Sequence, residues 1–531
     1  MWIKGLCVVA FIVLLNSCRA ENPKVTTDCG GVVEGVEKDG AYSFRGIPFA
    51  KPPLGELRWQ PPVSVTDCLE GVFNVYGEAC YQSNFSKLDE HFGSEDCLFL
   101  NVWTPTTDSN ASLPVMVWIH GGFNEFLSGN WPGYSPSEKL AKETDIVYVG
   151  MNYRLHAFGF MALDLISQSA PNRTSGNYGL MDQIEALRWV QKKISYFGGD
   201  PNKVTVFGQS SGGTDIYALL ASKMAKGLFH KAWMSSASPV LNKTTAEASK
   251  DNLLFLSHTR CNTLACLKSL PAENITRAIP WYTFPNWKMM DLMTLPHKGE
   301  ATGALPVVDG YVLTGEPRKV WSEYRNDVPV MIGTTAQEIE FDPADTDMPY
   351  WTWDKYHEEV SAKLSTFSTS LAKAALLFYP AGQISPAYQF LTMISDIRLT
   401  CPTEIITSAA SLNFRSPIYR YVATAWPSKP TTVLGFSFPA TYAFHCIDVL
   451  AFFDTLRNTI NPLSHSDLLF QENVRNTMLS FVKDGKPSAC WQQFDQMTAL
   501  LSQHITFVSA YKNRECQFWL SNDFFKYGWV N

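Results

Sequence analysis

Val204-Thr205-Val206-Phe207-Gly208-Gln209-Ser210-Ser211-Gly212-Gly213-Thr214-Asp215-Ile216-Tyr217-Ala218-Leu219-Leu220 runs from a short apolar segment through a glycine-rich turn into a helical pattern. The first four residues show little polar alternation, as expected of a strand buried on both faces. A Gly-x-Ser-x-Gly turn between strand and helix is tight enough to push the Ser210 Oγ out over the sheet edge, and its glycines leave room for the neighbouring strand and helix. A glycine-rich surface turn carrying an inert serine is the bland alternative. The strand before Ser210 and the helix after it favour the exposed hydroxyl.

Outward from this turn the same rhythm repeats. Val115-Met116-Val117-Trp118-Ile119 and Ile146-Val147-Tyr148-Val149-Gly150-Met151 are further apolar runs. Between the second of these and Val204, the residues Ile184, Leu187, Val190, Ile194 and Phe197 recur every three or four positions and mark one face of a helix that stops at Phe197-Gly198-Gly199-Asp200-Pro201. Val328-Pro329-Val330-Met331-Ile332 and Pro417-Ile418-Tyr419-Arg420-Tyr421-Val422 continue the pattern. Strand, helix, strand implies a large, mostly parallel sheet with helices on both faces, because parallel strands need a crossover. No linker-like tract or internal repeat divides the chain, so one α/β domain is expected.

A serine hydroxyl is a poor nucleophile until a base takes its proton, and the attacked carbonyl must place its negative charge against fixed donors. Such donors are expected from the N–H of Ser211 and from the loop after Ile119, His120-Gly121-Gly122-Phe123. A carboxylate and a histidine should follow in that order, each just beyond a strand. After Ile332 comes Gly333-Thr334-Thr335-Ala336-Gln337-Glu338, which makes Glu338 the candidate acid, with Glu340 its neighbour and rival. His445 follows Pro439-Ala440-Thr441-Tyr442-Ala443-Phe444 and opens a helical run; it is the candidate base, against the alternative of a histidine satisfied inside the core.

The 531 residues are 46% hydrophobic and 18% charged, an ordinary packed composition that excludes disordered and fibrous classes. With 43 basic and 50 acidic side chains the net charge is −7, and no basic tract offers a field for a phosphate backbone, so nucleic acid is not an expected partner. Met1-Trp2-Ile3-Lys4, the apolar run from Gly5 to Leu15 and Cys18-Arg19-Ala20 read as a secretory signal peptide over residues 1–20, followed by a single domain over 21–531. That apolar run is too short to span roughly 30 Å of hydrocarbon. No later run is long enough either, and Tyr527-Gly528-Trp529-Val530-Asn531 is neither a retrieval signal nor a lipid-anchor tail, so a secreted, extracellular protein is expected. Ten of the twelve cysteines lie beyond the leader, and in an oxidising compartment most should pair, though sequence alone leaves the pairing open. There is no Cys-x2-Cys and no His-Glu-x-x-His, so neither a zinc site nor a cofactor is expected. Glycosylation sequons stand at Asn84, Asn110, Asn172, Asn242 and Asn274.

Further stretches carry a family resemblance. Phe44-Arg45-Gly46-Ile47-Pro48-Phe49-Ala50, Pro52-Pro53-Leu54-Gly55-Glu56-Leu57-Arg58-Trp59, Ser94-Glu95-Asp96-Cys97-Leu98-Phe99-Leu100-Asn101-Val102, Gly176-Asn177-Tyr178-Gly179-Leu180-Met181-Asp182-Gln183 and Phe197-Gly198-Gly199-Asp200-Pro201 occur in order. With the Ser210 turn, they make the chain resemble the type-B carboxylesterase and cholinesterase family of the α/β-hydrolase superfamily over nearly its whole length. The resemblance implies Ser210 as nucleophile, Glu338 as the acid that orients His445, and Ser236 as a supporting serine. It also implies pairing of Cys80 with Cys97, Cys261 with Cys266, Cys401 with Cys516 and Cys29 with Cys68. Cys446 and Cys490 remain as free thiols or a fifth bridge.

Departures from the family pattern concentrate around the serine. Phe123 stands where the family usually has the third glycine of His-Gly-Gly-Gly, and a Cβ penalises the positive φ that glycine accepts. Loss of one oxyanion donor costs roughly 10²- to 10³-fold in rate. Gln209 replaces the usual Glu, Ser211 the usual Ala, Ile339 and Cys446 the usual Gly. Cholinesterases hold choline on a tryptophan of the first disulfide loop, because an indole face attracts a quaternary ammonium, and the interval Cys80 to Cys97 has none. Glu300-Ala301-Thr302-Gly303 stands where acyl-pocket aromatics would be expected. A general carboxylesterase for small-molecule esters is therefore the expected activity. The rival is a cholinesterase-like soluble binding protein or stoichiometric ester sink, which keeps the triad but turns over weakly or not at all because of Phe123.

Overall fold

The computed structural model describes residues 22–529 except 85–86, 280–292, 300–304, 341–344, 383 and 437. The expected leader over residues 1–20 and the Glu300 to Gly303 stretch lie outside the described residues. An eleven-stranded sheet organises the chain. In chain order its strands are β1 (Val36–Lys38), β2 (Ala41–Pro48), β3 (Phe99–Thr104), β4 (Leu113–Ile119), β5 (Val147–Met151), β6 (Gly199–Gln209), β7 (Lys231–Ser235), β8 (Val330–Thr335), β9 (Ile418–Ala423), β10 (Met497–Leu501) and β11 (Ile505–Ser509). Their spatial order is β11-β10-β9-β8-β7-β6-β4-β5-β3-β2-β1. The pairs from β5 through β10 are parallel, and the flanking pairs on either side are antiparallel. The mostly parallel sheet is the one expected from the strand–helix rhythm, and the family resemblance implied the α/β-hydrolase architecture.

The apolar runs have no polar alternation because both faces are covered. Val115, Val117 and Ile119 of β4 join one core cluster with α1 (Tyr178–Lys193) and α2 (Ser211–Ala221). Met116 and Trp118 point the other way, into a second cluster with α4 (Ile447–Phe453) and α5 (His465–Asp484); α3 (Cys401–Asn413) and α6 (Asn513–Ser521) lie outward in sequence on either side. On that second face Trp118 meets Tyr134 and Phe453 edge-on at 5.2 and 5.1 Å, and Phe207 stacks on Trp233 at 5.7 Å. All five residues predicted to line one face of α1 are fully buried; the last turn tightens to 3₁₀ over Ile194–Phe197 and ends on Gly198 at φ 80°. Helix α5 begins with a reciprocal cap between Ser464 and Asp467 and stops at Gly485, φ 71°.

The family stretches are scaffold rather than chemistry. Arg58 forms a paired bond to Glu95 at 2.8 and 2.5 Å and donates to the carbonyls of Lys268 and Leu270. Asp182 receives Arg154 through its Nε at 2.8 Å, its Nη2 at 2.7 Å and its backbone N at 3.0 Å, with both side chains buried. Removing one member of such a pair strands the other charge inside the protein, so these residues are constrained by each other.

The four disulfides follow the implied pairing: Cys29–Cys68, Cys80–Cys97, Cys261–Cys266 and Cys401–Cys516. Cys446 is a buried free thiol and Cys490 an exposed one, so no fifth bridge joins them. Cys401–Cys516 links α3 to α6 across a separation of 115 residues, and Cys261–Cys266 closes only 5. Chain entropy predicts losses of about 5 and about 2 kcal/mol on removing them. Urea unfolding of the Cys401→Ala/Cys516→Ala and Cys261→Ala/Cys266→Ala proteins should therefore show the larger drop in midpoint for the first. Among the sequons, Asn110, Asn242 and Asn274 are exposed; the amide of Asn172 is enclosed. Among the described residues no helix is long and apolar enough to cross a membrane, and no cluster of His, Cys, Asp and Glu has the arrangement of a metal site.

Candidate active site

Ser210 sits between β6 and α2, at φ 59° and ψ −131°. This is a backbone region that side chains rarely adopt, and neighbours hold it there. Ser210 N donates to Ser235 O of β7 at 2.9 Å, and Ser210 O accepts Thr214 N at 3.0 Å. The start of α2 packs so closely on the end of β4 that a Cβ at Gly212 would lie 2.1 Å from Ile119 O. The turn can form only with glycine there, which is why the Gly-x-Ser-x-Gly spacing is informative.

Glu338 and His445 come together from two later loops. His445 Nδ1 lies 2.6 Å from Glu338 Oε2. The other carboxylate oxygen, Oε1, accepts the Ser236 hydroxyl at 2.8 Å and Thr335 N at 2.6 Å. Glu338 is fully enclosed, and three donors surround its carboxylate. The rival Glu340 points elsewhere: it accepts the backbone N–H of Thr441 at 2.8 Å and of Tyr442 at 2.5 Å, so it braces the loop leading to His445. Burial raises its carboxyl to about 8. Three residues after His445, Asp448 Oδ2 accepts hydroxyls from Ser235 at 2.7 Å and Tyr421 at 2.5 Å, and Trp233 Nε1 donates to Tyr421 at 2.9 Å. The Trp529 ring meets the imidazole edge-on, centroids 5.2 Å apart.

The loop after β4 lies against the serine. A Cβ on Gly121 would be 2.6 Å from Gln209 O and 2.9 Å from Ser210 Cβ. Gly122 has φ 105°, and Phe123 and Asn124 both have φ 59°. Left-handed backbone costs a residue with a side chain roughly 1 to 2 kcal/mol. Ser211 and Asn124 help to hold it. Asn124 N donates to Ser211 Oγ at 3.0 Å, Asn124 Nδ2 to Asp215 Oδ1 at 3.3 Å, and Asn124 O accepts His156 N at 2.7 Å. Phe123 thus takes up the positive φ that glycine would have supplied, with its neighbour pinned. His120 stacks on Tyr153 with ring centroids 4.4 Å apart and donates Nδ1–H to Gly121 O at 2.8 Å; burial lowers it to about 4, so it stays neutral.

Ser210, His445, Gly122 and Phe123 line one cleft of about 480 Å³. Its walls are otherwise mostly apolar: Phe123, Phe126, Leu127, Val433, Leu434 and Phe436. Sequence reasoning missed two residues of this site, Tyr134 and the side chain of Gln209. The Tyr134 hydroxyl donates to Gln209 Oε1, and Gln209 Nε2 lies 2.9 Å from His445 Nε2. Gln209 was marked by its position next to Ser210 and by standing where the family usually has Glu; nothing local marks Tyr134.

Comparison with known proteins agrees with this geometry. Residues 21–519 match the Carboxylesterase family. The para-nitrobenzyl esterase of Bacillus subtilis is 32% identical over 515 residues, covering 91% of this chain and 96% of that protein. A solved PNB esterase structure superimposes with a TM-score of 0.73 at 32% identity, covering 94% of this chain and 99% of that one. Neurotactin of Drosophila melanogaster is 36% identical over 398 residues, which is 72% of this chain but only 45% of that protein. The fold and the match place the molecule among the α/β-hydrolases that cleave carboxylic esters. The chain belongs to the carboxylesterase family.

Proposed function

We propose that the protein is a secreted serine hydrolase that cleaves neutral small-molecule carboxylic esters through an acyl-enzyme on Ser210. The observation that carries this reading is the 2.6 Å contact between Glu338 Oε2 and His445 Nδ1, with the imidazole and Ser210 on the same cleft. Ser210 Oγ attacks the ester carbonyl while His445 Nε2 takes its proton. The oxyanion is held by N–H groups from Gly121, Gly122, Phe123 and Ser211. Collapse expels the alcohol, which receives the proton from Nε2, and water then repeats the sequence to release the acid. Glu338 keeps the Nδ1–H tautomer and balances the imidazolium, while Ser236 and Thr335 N hold Glu338. The apolar walls fit a neutral ester, and among the described residues that line the cleft there is no tryptophan face for a quaternary ammonium. The leader-like residues 1–20, the four disulfides and the exposed sequons support secretion and glycosylation.

A fluorophosphonate probe followed by peptide mass spectrometry should label Ser210, and a short p-nitrophenyl ester should be turned over many times per molecule. Absence of label would remove the nucleophile assignment. Label without turnover would favour the ester-sink reading, to which the strained Phe123 gives its one specific support.

A further inference from the structure

The imidazole nitrogen that has to take the serine proton already faces another donor. Gln209 Nε2 lies 2.9 Å from His445 Nε2, and Gln209 Oε1 accepts the Tyr134 hydroxyl. Both Gln209 and Tyr134 are 1% exposed. A phenol that keeps its proton donates it, so Oε1 is the acceptor end of the amide and the NH₂ end faces the histidine. Burial pushes the Tyr134 phenol well up, which keeps that donor in place. Facing an N–H, His445 Nε2 serves as the acceptor, and the ring proton sits on Nδ1 against Glu338.

We propose that Gln209 is a positioning residue for the base: anchored by Tyr134, its amide holds His445 as the Nδ1–H neutral tautomer and yields Nε2 to the Ser210 hydroxyl when the ester enters. The proposal rests on the serine-hydrolase reading above. An imidazole nitrogen has one lone pair, so the amide N–H and the serine O–H compete for it. The amide also opposes imidazolium, because a protonated Nε2 would point one donor at another. Among the described residues, Glu338 lies on Nδ1, Cys446 is next in sequence and Asp448 stands on α4 close enough to act on Glu338; the Ser210 hydroxyl shares the cleft, and the Trp529 edge covers a further side. Beside these carboxylates the amide N–H is a contact that opposes a proton on Nε2.

The test is a series at one position. Gln209→Met removes the N–H and keeps the length; Gln209→Glu replaces it with an acceptor that welcomes Nε2–H. The acid limb of the kcat/KM profile for a p-nitrophenyl ester should move to higher pH in the order Gln, Met, Glu, by about one pH unit or more for Glu. Tyr134→Phe should move it in the same direction by freeing the amide. A role confined to packing would change rates and leave the limb where it is. If the limb does not move in Met and Phe, the proposal is overturned, whether or not the Glu protein folds. Fluorophosphonate labelling of Ser210 in each protein separates the two failures. An unlabelled parent protein sinks the hydrolase reading, whereas a labelled and active set with an unmoved limb sinks only the role of Gln209.

Discussion

Ser210→Ala is expected to lower kcat for a p-nitrophenyl ester by about 10⁶-fold, to the residual rate that binding and the oxyanion donors supply on their own. The parts of a triad act as a unit: without a nucleophile the base has no proton to take, so His445→Ala added to Ser210→Ala should cost little more. Alanine meets the same backbone penalty as serine at φ 59°, and the backbone hydrogen bonds of residue 210 do not involve its side chain. The fold should therefore persist, and far-UV circular dichroism with a thermal scan would show it. A variant that unfolds, or one that keeps more than a hundredth of the parent rate, would contradict this account of the turn.

Glu338→Gln should cost about 10⁴-fold with the fold intact. Ser236 and Thr335 N both donate to Oε1, and in the variant they continue to need an acceptor there. The amide oxygen is thereby pinned on their side and the NH₂ is turned toward His445 Nδ1. The ring then has to carry its proton on Nε2, where it cannot accept one from Ser210. The loss should appear in kcat more than in KM, since the substrate walls are untouched. Glu340→Gln is the control. Its two backbone donors lie at residues 441 and 442 and it makes no hydrogen bond to the imidazole, so less than about a tenfold change is expected if the group acts only on its loop. Equal losses at 338 and 340 would mean that the acid has been misassigned.

The central strands were legible because burial on both faces leaves an unmixed apolar run, as in Val115 to Ile119 and Val204 to Phe207. Helix α1 was legible through its 3.6-residue period. Glu338 could be chosen because it directly follows β8; His445 was reached through chain order alone, since the segment before it, expected as a strand, is a loop well beyond β9, yet the structure brings the two to 2.6 Å. The short antiparallel strands at the sheet margins, β1 and β11 among them, were not read: three to five half-exposed residues carry too little pattern. The disulfide pairing came from family resemblance alone. The Tyr134–Gln209–His445 chain and the Asp448–Tyr421–Trp233 chain were invisible for a different reason. Each joins side chains separated by tens to hundreds of positions, and such networks have no period, spacing or composition of their own. Phe123 stood out as a departure, but how the loop holds it was hidden until Ser211 Oγ was found receiving Asn124 N.

The indole of Trp529 against His445 has a consequence for biosynthesis. Nucleophile, acid, base and the whole sheet are all translated before this ring, so a chain interrupted near residue 520 would possess every reacting group and still leave the imidazole uncovered on one side. A premature stop or a protease nick near residue 520 should then yield a molecule that is chemically complete on paper and catalytically impaired in the tube.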